Sequence, residues 1–114
     1  MIAVIFEVLP APGRREEYLE LAAELRPHLE SIDGFLSIER FASLAGSGKI
    51  LSLSFWRDET AVAAWRRFEL HREAQQRGRA GIFADYRLRI AEVARDYGLA
   101  ERAEAPADSR RLHG

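Results

Sequence analysis

The period of hydrophobic repetition switches along this chain between that of a strand and that of a helix, and the order of the switches admits few folds. Ile2 to Leu9 is rich in β-branched and aromatic residues, the mark of a strand. Pro10-Ala11-Pro12-Gly13 ends it, because proline donates no ladder hydrogen bond and glycine permits a turn. From Arg14 to about Ser31, Tyr18, Leu21, Ala22, Leu25 and Leu29 recur at helical spacing opposite a charged face, with a kink or weakened bond expected at Pro27. Asp33-Gly34 turns the chain into a second strand, Phe35 to Phe41. The loop Ala45-Gly46-Ser47-Gly48 leads to a third strand from Lys49 to Trp56, an antiparallel hairpin by its shortness. Asp58 is a plausible N-cap for a helix over Ala61 to Gln76, read as one helix or as two with a bend near Phe68. Asp85 to Tyr97 reads as a long final strand.

The order β-α-β-β-α-β predicts an α+β, ferredoxin-like domain: a four-stranded antiparallel sheet with its helices on one face. A length of 114 residues fits one domain, placed over 1–99, with 100–114 a polar, flexible tail. Helices on one face leave the other bare, and a solvated face should be polar at every second residue. The strands do not obey. Ala3, Ile5 and Leu9 lie opposite Ile2, Val4, Phe6 and Val8, and Leu51, Leu53 and Phe55 oppose Ile50, Ser52, Ser54 and Trp56. An exposed patch so apolar usually marks an interface, so the second face is expected to pack on a second copy in a homodimer.

Charge and composition exclude several partners. Lys and Arg number 17 against 18 Asp and Glu, a formal net charge of -1, which does not suit a chain built to hold phosphates of nucleic acid. No apolar run approaches the roughly 18 residues of a membrane span, and no basic leader precedes the first strand. Cysteine is absent, so disulfides and thiolate catalysis are excluded, and a cytoplasmic location is expected. His28, His71 and His113 have no metal-ligand spacing, and neither a phosphate loop nor a nucleophile elbow occurs.

Residues able to carry chemistry concentrate between Phe55 and Arg79. His71 is the candidate acid–base residue, since imidazole titrates near neutrality; a surface or structural histidine is the equal alternative. Gln75 shares its helix face, whereas Trp65 lies on another side unless the helix bends. Trp56 and Trp65 suit an aromatic wall for a flat ligand, although such residues are more often core. Tyr86 is set on the final strand in line with Leu88 and Ile90. Arg87 and Arg89 on its other side are expected to pair with Glu7 or Glu39, the alternative being an anionic substrate group.

Five segments together resemble the antibiotic biosynthesis monooxygenase domain of the dimeric α/β-barrel superfamily. They are Ile5-Phe6-Glu7-Val8-Leu9-Pro10-Ala11-Pro12-Gly13, Ile32-Asp33-Gly34-Phe35, the run Leu51-Ser52-Leu53-Ser54-Phe55-Trp56-Arg57-Asp58-Glu59, Ala63-Ala64-Trp65-Arg66-Arg67, and His71-Arg72-Glu73-Ala74-Gln75 before Gly78-Arg79. The likeness covers about residues 2–97. It implies dimers with paired sheets and, in some members, oxygenation of aromatic compounds without metal or flavin. Other members degrade haem using an Asn, a Trp and a His ligand. Trp65 stands at the Trp position, but Phe6 falls near the Asn and Gln75 at the ligand. Haem is therefore not expected unless His71 takes the ligand's part. The reading is a cofactor-independent monooxygenase of an aromatic or quinol-like small molecule. Its catalytic residues would be His71, Trp65 and Tyr86, with Trp56, Gln75, Phe6 and Arg67 in substrate contact. A haem-binding or haem-degrading protein and a non-catalytic dimeric ligand-binding protein are the alternatives.

Overall fold

The computed structural model describes residues 1–75 and 81–114, the side chains of 70–75 excepted. Its elements are β1 (Ile2–Pro10), α1 (Arg15–Glu30), β2 (Phe35–Ala42), β3 (Ile50–Trp56), α2 (Glu59–Gln75), β4 (Phe83–Glu92) and α3 (Ala107–His113). The first six follow the order that the periodicity predicts. The strands form one open sheet in the order β2-β3-β1-β4, with each neighbouring pair antiparallel. This is the ferredoxin-like arrangement.

Both long helices lie on one face of the sheet. One core cluster joins Ile2, Val4, Ile38 and Trp56 to Leu29 of α1 and to Ala61 and Val62 of α2. The other joins Val8 and Ile50 to Tyr18 of α1 and to Ile82. Of the predicted apolar stripe of α1, Tyr18, Ala22 and Leu29 are buried, and the helix runs on through Pro27. α2 begins where Asp58 Oδ1 accepts the Ala61 N–H at 2.9 Å, satisfying a donor that the first turn cannot pair internally. It is one continuous helix through Phe68 rather than two short ones.

β4 departs from its expected limits of Asp85 to Tyr97. It starts at Phe83, opposite Pro10 across an irregularity in the ladder, and stops at Glu92, opposite Ile2. Beyond Ile2 there is almost no β1 left to pair with, and the last bond across this end is Val93 N–H to Met1 O at 3.0 Å. A strand lasts only as long as its partner. The chain after β4 is organised by Arg102, which donates to the carbonyls of Gly98 and Gly114 and to Ser109 Oγ and stacks over Tyr97. Among the described residues, no helix is long and apolar enough to cross a membrane.

Candidate functional site

Strand register places side chains from all four strands in rows beneath the helices. One row reads Arg40, Ser52, Phe6, Leu88; the next reads Ile38, Ser54, Val4, Ile90. In β3 the alternation sends Ile50, Ser52, Ser54 and Trp56 inward and leaves Leu51, Leu53 and Phe55 on the open face. Two hydroxyls therefore occupy positions under the helices where leucines would be expected, at 7% and 5% exposure. Ser54 Oγ accepts the Trp56 Nε1–H at 3.0 Å, so burying the indole leaves no unpaired donor. Ser52 lies between Arg40 and Phe6, and Arg40 Nε is buried without a hydrogen-bond partner.

Aromatic rings gather at the β1–β4 side of this face. Phe6 meets Phe83 at 5.8 Å and Tyr86 at 5.6 Å between centroids, and Tyr18 of α1 meets Phe83 at 5.7 Å. Offset and edge-on contacts of this kind suit the ring quadrupole and make a stiff apolar wall. Tyr86 stays 60% exposed, so its phenol sits at the rim of the cluster. Trp65 is half-buried and lies 6.3 Å from Trp56, which is wholly buried in the core.

The predicted site residues thus divide. Phe6 and Tyr86 come together, and Trp56 and Trp65 come together. Trp56 takes the core position that was weighed against a ligand-wall role. Arg67 is exposed on α2. The side chains of His71 and Gln75, and the segment with Arg77, Gly78 and Arg79, lie outside the described residues. Sequence reasoning missed Arg40 and passed over the serines. The available signal was Arg40 two residues beyond Ile38, a charge on the inward face of a strand.

The motifs around Ile32 and Trp56 meet at the end of the sheet. Arg57 forks onto both oxygens of Asp33 at 3.1 and 3.2 Å and also reaches Asp58 at 3.1 Å. Its backbone N–H donates to Gly34 O at 2.7 Å. The Arg57 hydrogen bond and charge hold the Asp33 carboxyl below the usual range. Asp58 is lowered chiefly by the Ala61 N–H and then by Arg57, whose own pKa is raised in turn. This cluster fastens the α1–β2 turn to the start of α2.

On the open face Arg89 pairs with Glu7 at 3.2 Å, as the charge pattern predicts. A cleft of about 350 Å³ opens there between Met1, Leu36, Phe55, Val93 and Arg95.

The haem arrangement of the resemblance does not fit the described residues. Phe6, at the Asn position, offers no hydrogen bond and is packed against Phe83 and Tyr86. His28 stacks on Phe68 at 5.4 Å, and the side chains of Gln75, at the ligand position, and of His71 lie outside the described residues.

An open antiparallel sheet with paired helices on one side defines a ferredoxin-like α+β fold. Within that class the chain belongs to the antibiotic biosynthesis monooxygenase family, whose model matches residues 1–77. It is 50% identical over 93 residues to the jasmonate monooxygenase ABM of Pyricularia oryzae, covering 82% of this chain and 43% of that protein. It is 32% identical over 62 residues to YqjZ of Bacillus subtilis, covering 54% of this chain and 53% of that protein. The chain therefore spans about half the length of these curated relatives. Among solved structures, the haem-degrader MhuD of Mycobacterium tuberculosis, with two haems bound in its active site, superposes with a TM-score of 0.70 at 20% identity. That match covers 86% of this chain and all of the other (100%). At such identity the likeness carries the fold alone.

Proposed function

We propose that this chain is a monooxygenase of small apolar ring compounds, acting as a cytoplasmic homodimer without a resident metal, flavin or haem. The observation that carries the reading is the 50% identity to a jasmonate monooxygenase across 82% of this chain. That identity extends the expected substrates from aromatic or quinol-like molecules to jasmonate-like cyclic ketones. The aromatic wall of Phe6, Phe83 and Tyr86 supports a flat or cyclic ligand. In this reading His71 is the base that removes a proton beside a carbonyl or phenol group, leaving an electron-rich carbon for oxygen to attack. Trp65 and Tyr86 shape the cavity, Phe6, Gln75 and Arg67 complete the substrate contacts, and Trp56 backs Trp65 from within the core.

Electron balance divides the substrates. Where a methylene becomes a carbonyl, R₂CH₂ + O₂ → R₂C=O + H₂O, the substrate supplies every electron. Where one hydroxyl is installed, two further electrons must come from a reductant such as NADPH. Oxygen uptake with jasmonic acid and with an anthrone, each with and without NADPH, tests the proposal. Turnover of at least one is expected. His71→Ala should cut it by a factor on the order of 10²–10⁴. Full uptake by the variant removes the base role, and no uptake from any combination overturns the monooxygenase reading.

The homodimer reading rests on the open face. Leu51, Leu53 and Phe55 point away from the helices, with Phe41 at 44% and Leu36 at 54% exposure beside them. Such a face is better covered by its own copy than by water.

A further inference from the structure

Resting on the monooxygenase reading, we propose that Arg40 anchors a carboxylate on an otherwise apolar substrate. Arg40 lies on β2 two residues after Ile38, whose side chain packs on Leu29 in the core, so Arg40 shares the helix-facing side of the sheet. Its Nε is enclosed and has no hydrogen-bond partner. Buried guanidinium donors are almost always paired, because an enclosed N–H with no acceptor forfeits its hydration without return. The nearest acid along the strand, Glu39, points to the opposite face by strand alternation and is exposed. Across the ladder Arg40 meets Ser52, a neutral hydroxyl. Nothing in this row offers the Arg40 Nε a carboxylate.

The positive character of this corner is reinforced from α1. Arg26 donates to the carbonyl of Ile38 at 3.4 Å, bringing a second guanidinium to within two residues of Arg40 along β2. Arg26 itself is paired with Glu30, whereas Arg40 Nε has no partner among the described residues. Arg40 as a whole is only part-buried, so a carboxylate would meet the accessible part of its guanidinium, and the Ser52 hydroxyl across the ladder is placed to donate to the same group. The row then continues to Phe6, Leu88 and the aromatic wall, where the rest of the ligand must be apolar. A phosphate suits this place less well, since it brings up to two charges to a row with a single guanidinium and apolar neighbours. The anionic-group role that the sequence offered to Arg87 and Arg89 thus moves to the other face. Arg89 is engaged with Glu7.

Titration of the full chain, read by tryptophan fluorescence, tests this with jasmonic acid, cyclohexylacetic acid and the methyl ester of each. Both acids should bind at least about tenfold more tightly than their esters. Arg40→Gln should erase that preference while leaving ester affinity within about twofold. The melting temperature of ligand-free Arg40→Gln or Arg40→Met should equal or exceed that of the unsubstituted chain, because an unsatisfied buried donor has been removed. A merely structural arginine would lower it. Equal binding of acids and esters, no binding of any acid, a preference that survives in Arg40→Gln, or failure of both variants to fold would each overturn the anchor. The two readings fail separately. Carboxylate preference without oxygen uptake retains the anchor and removes the monooxygenase, and uptake indifferent to esterification does the reverse.

Discussion

Arg57 is held between two carboxylates, and the consequence is a specific acid limb in stability. Asp33 is lowered by its hydrogen bond and charge contact with Arg57, and Asp58 by the Ala61 N–H and then by Arg57. Both groups favour the charged form more in the folded chain than in the unfolded one. Their contribution is therefore complete above the unfolded Asp value of about 3.9 and is lost as pH falls through the lower folded values. Thermal melting should be insensitive to these groups between about pH 5 and pH 7 and should fall below about pH 4. Asp33→Asn with Asp58→Asn should flatten that fall, and added salt should shrink it, because the cluster is at the surface. A double variant with an unchanged acid limb would contradict the assignment. At this scale the sequence showed the aromatic residues and the Arg89–Glu7 pairing but missed Arg40. A charged residue on a strand is ordinarily taken as outward-facing, and the alternation that puts Arg40 on the side of Ile38 shows it inward only once Ile38 is known to be core.

Gly34 illustrates what an element boundary demands. It adopts φ +92°, and a Cβ there would stand 2.6 Å from the Ala61 Cβ, where the α1–β2 turn meets the first turn of α2. Gly13, at φ +76°, has nothing within 4 Å of the same point. Gly34→Ala should therefore cost roughly 3 kcal/mol, backbone strain plus overpacking, and Gly13→Ala roughly 1–2 kcal/mol, strain alone. Denaturant unfolding of the two variants checks the difference; equal losses would mean that the turn yields without disturbing α2. The identity of each element was legible because periodicity and turn residues act locally. The length of β4 was not, since its end is fixed by where β1 runs out. Nor was the continuity of α2, because Phe68 and its neighbours allow either a straight or a bent helix.

The whole molecule is less compact than a globular chain of its length. Its radius of gyration is 16.8 Å, and α3 buries no residue. About 13 Å would be usual. By strand spacing and rise, the open sheet face covers on the order of 500 Å². That approaches the roughly 800 Å² per partner of a standard stable interface, which neighbouring loops could complete. Leu53→Asp, on the open face opposite the buried serines, should convert a sedimenting dimer into monomer while preserving the far-ultraviolet spectrum. A monomer in the unsubstituted chain at micromolar concentration would remove the dimer.

The amino-acid order alone determined the kinds of element, their succession and the aromatic composition of the region around the site, because these follow from spacing within a few residues. Tertiary structure decided which side of β3 turned inward, where the last strand stopped and that a guanidinium lay beneath the helices. Both sides of β3 carry apolar residues, so nothing local distinguishes them. The choice belongs to pairing with β1 and β2, whose residues are distant along the chain.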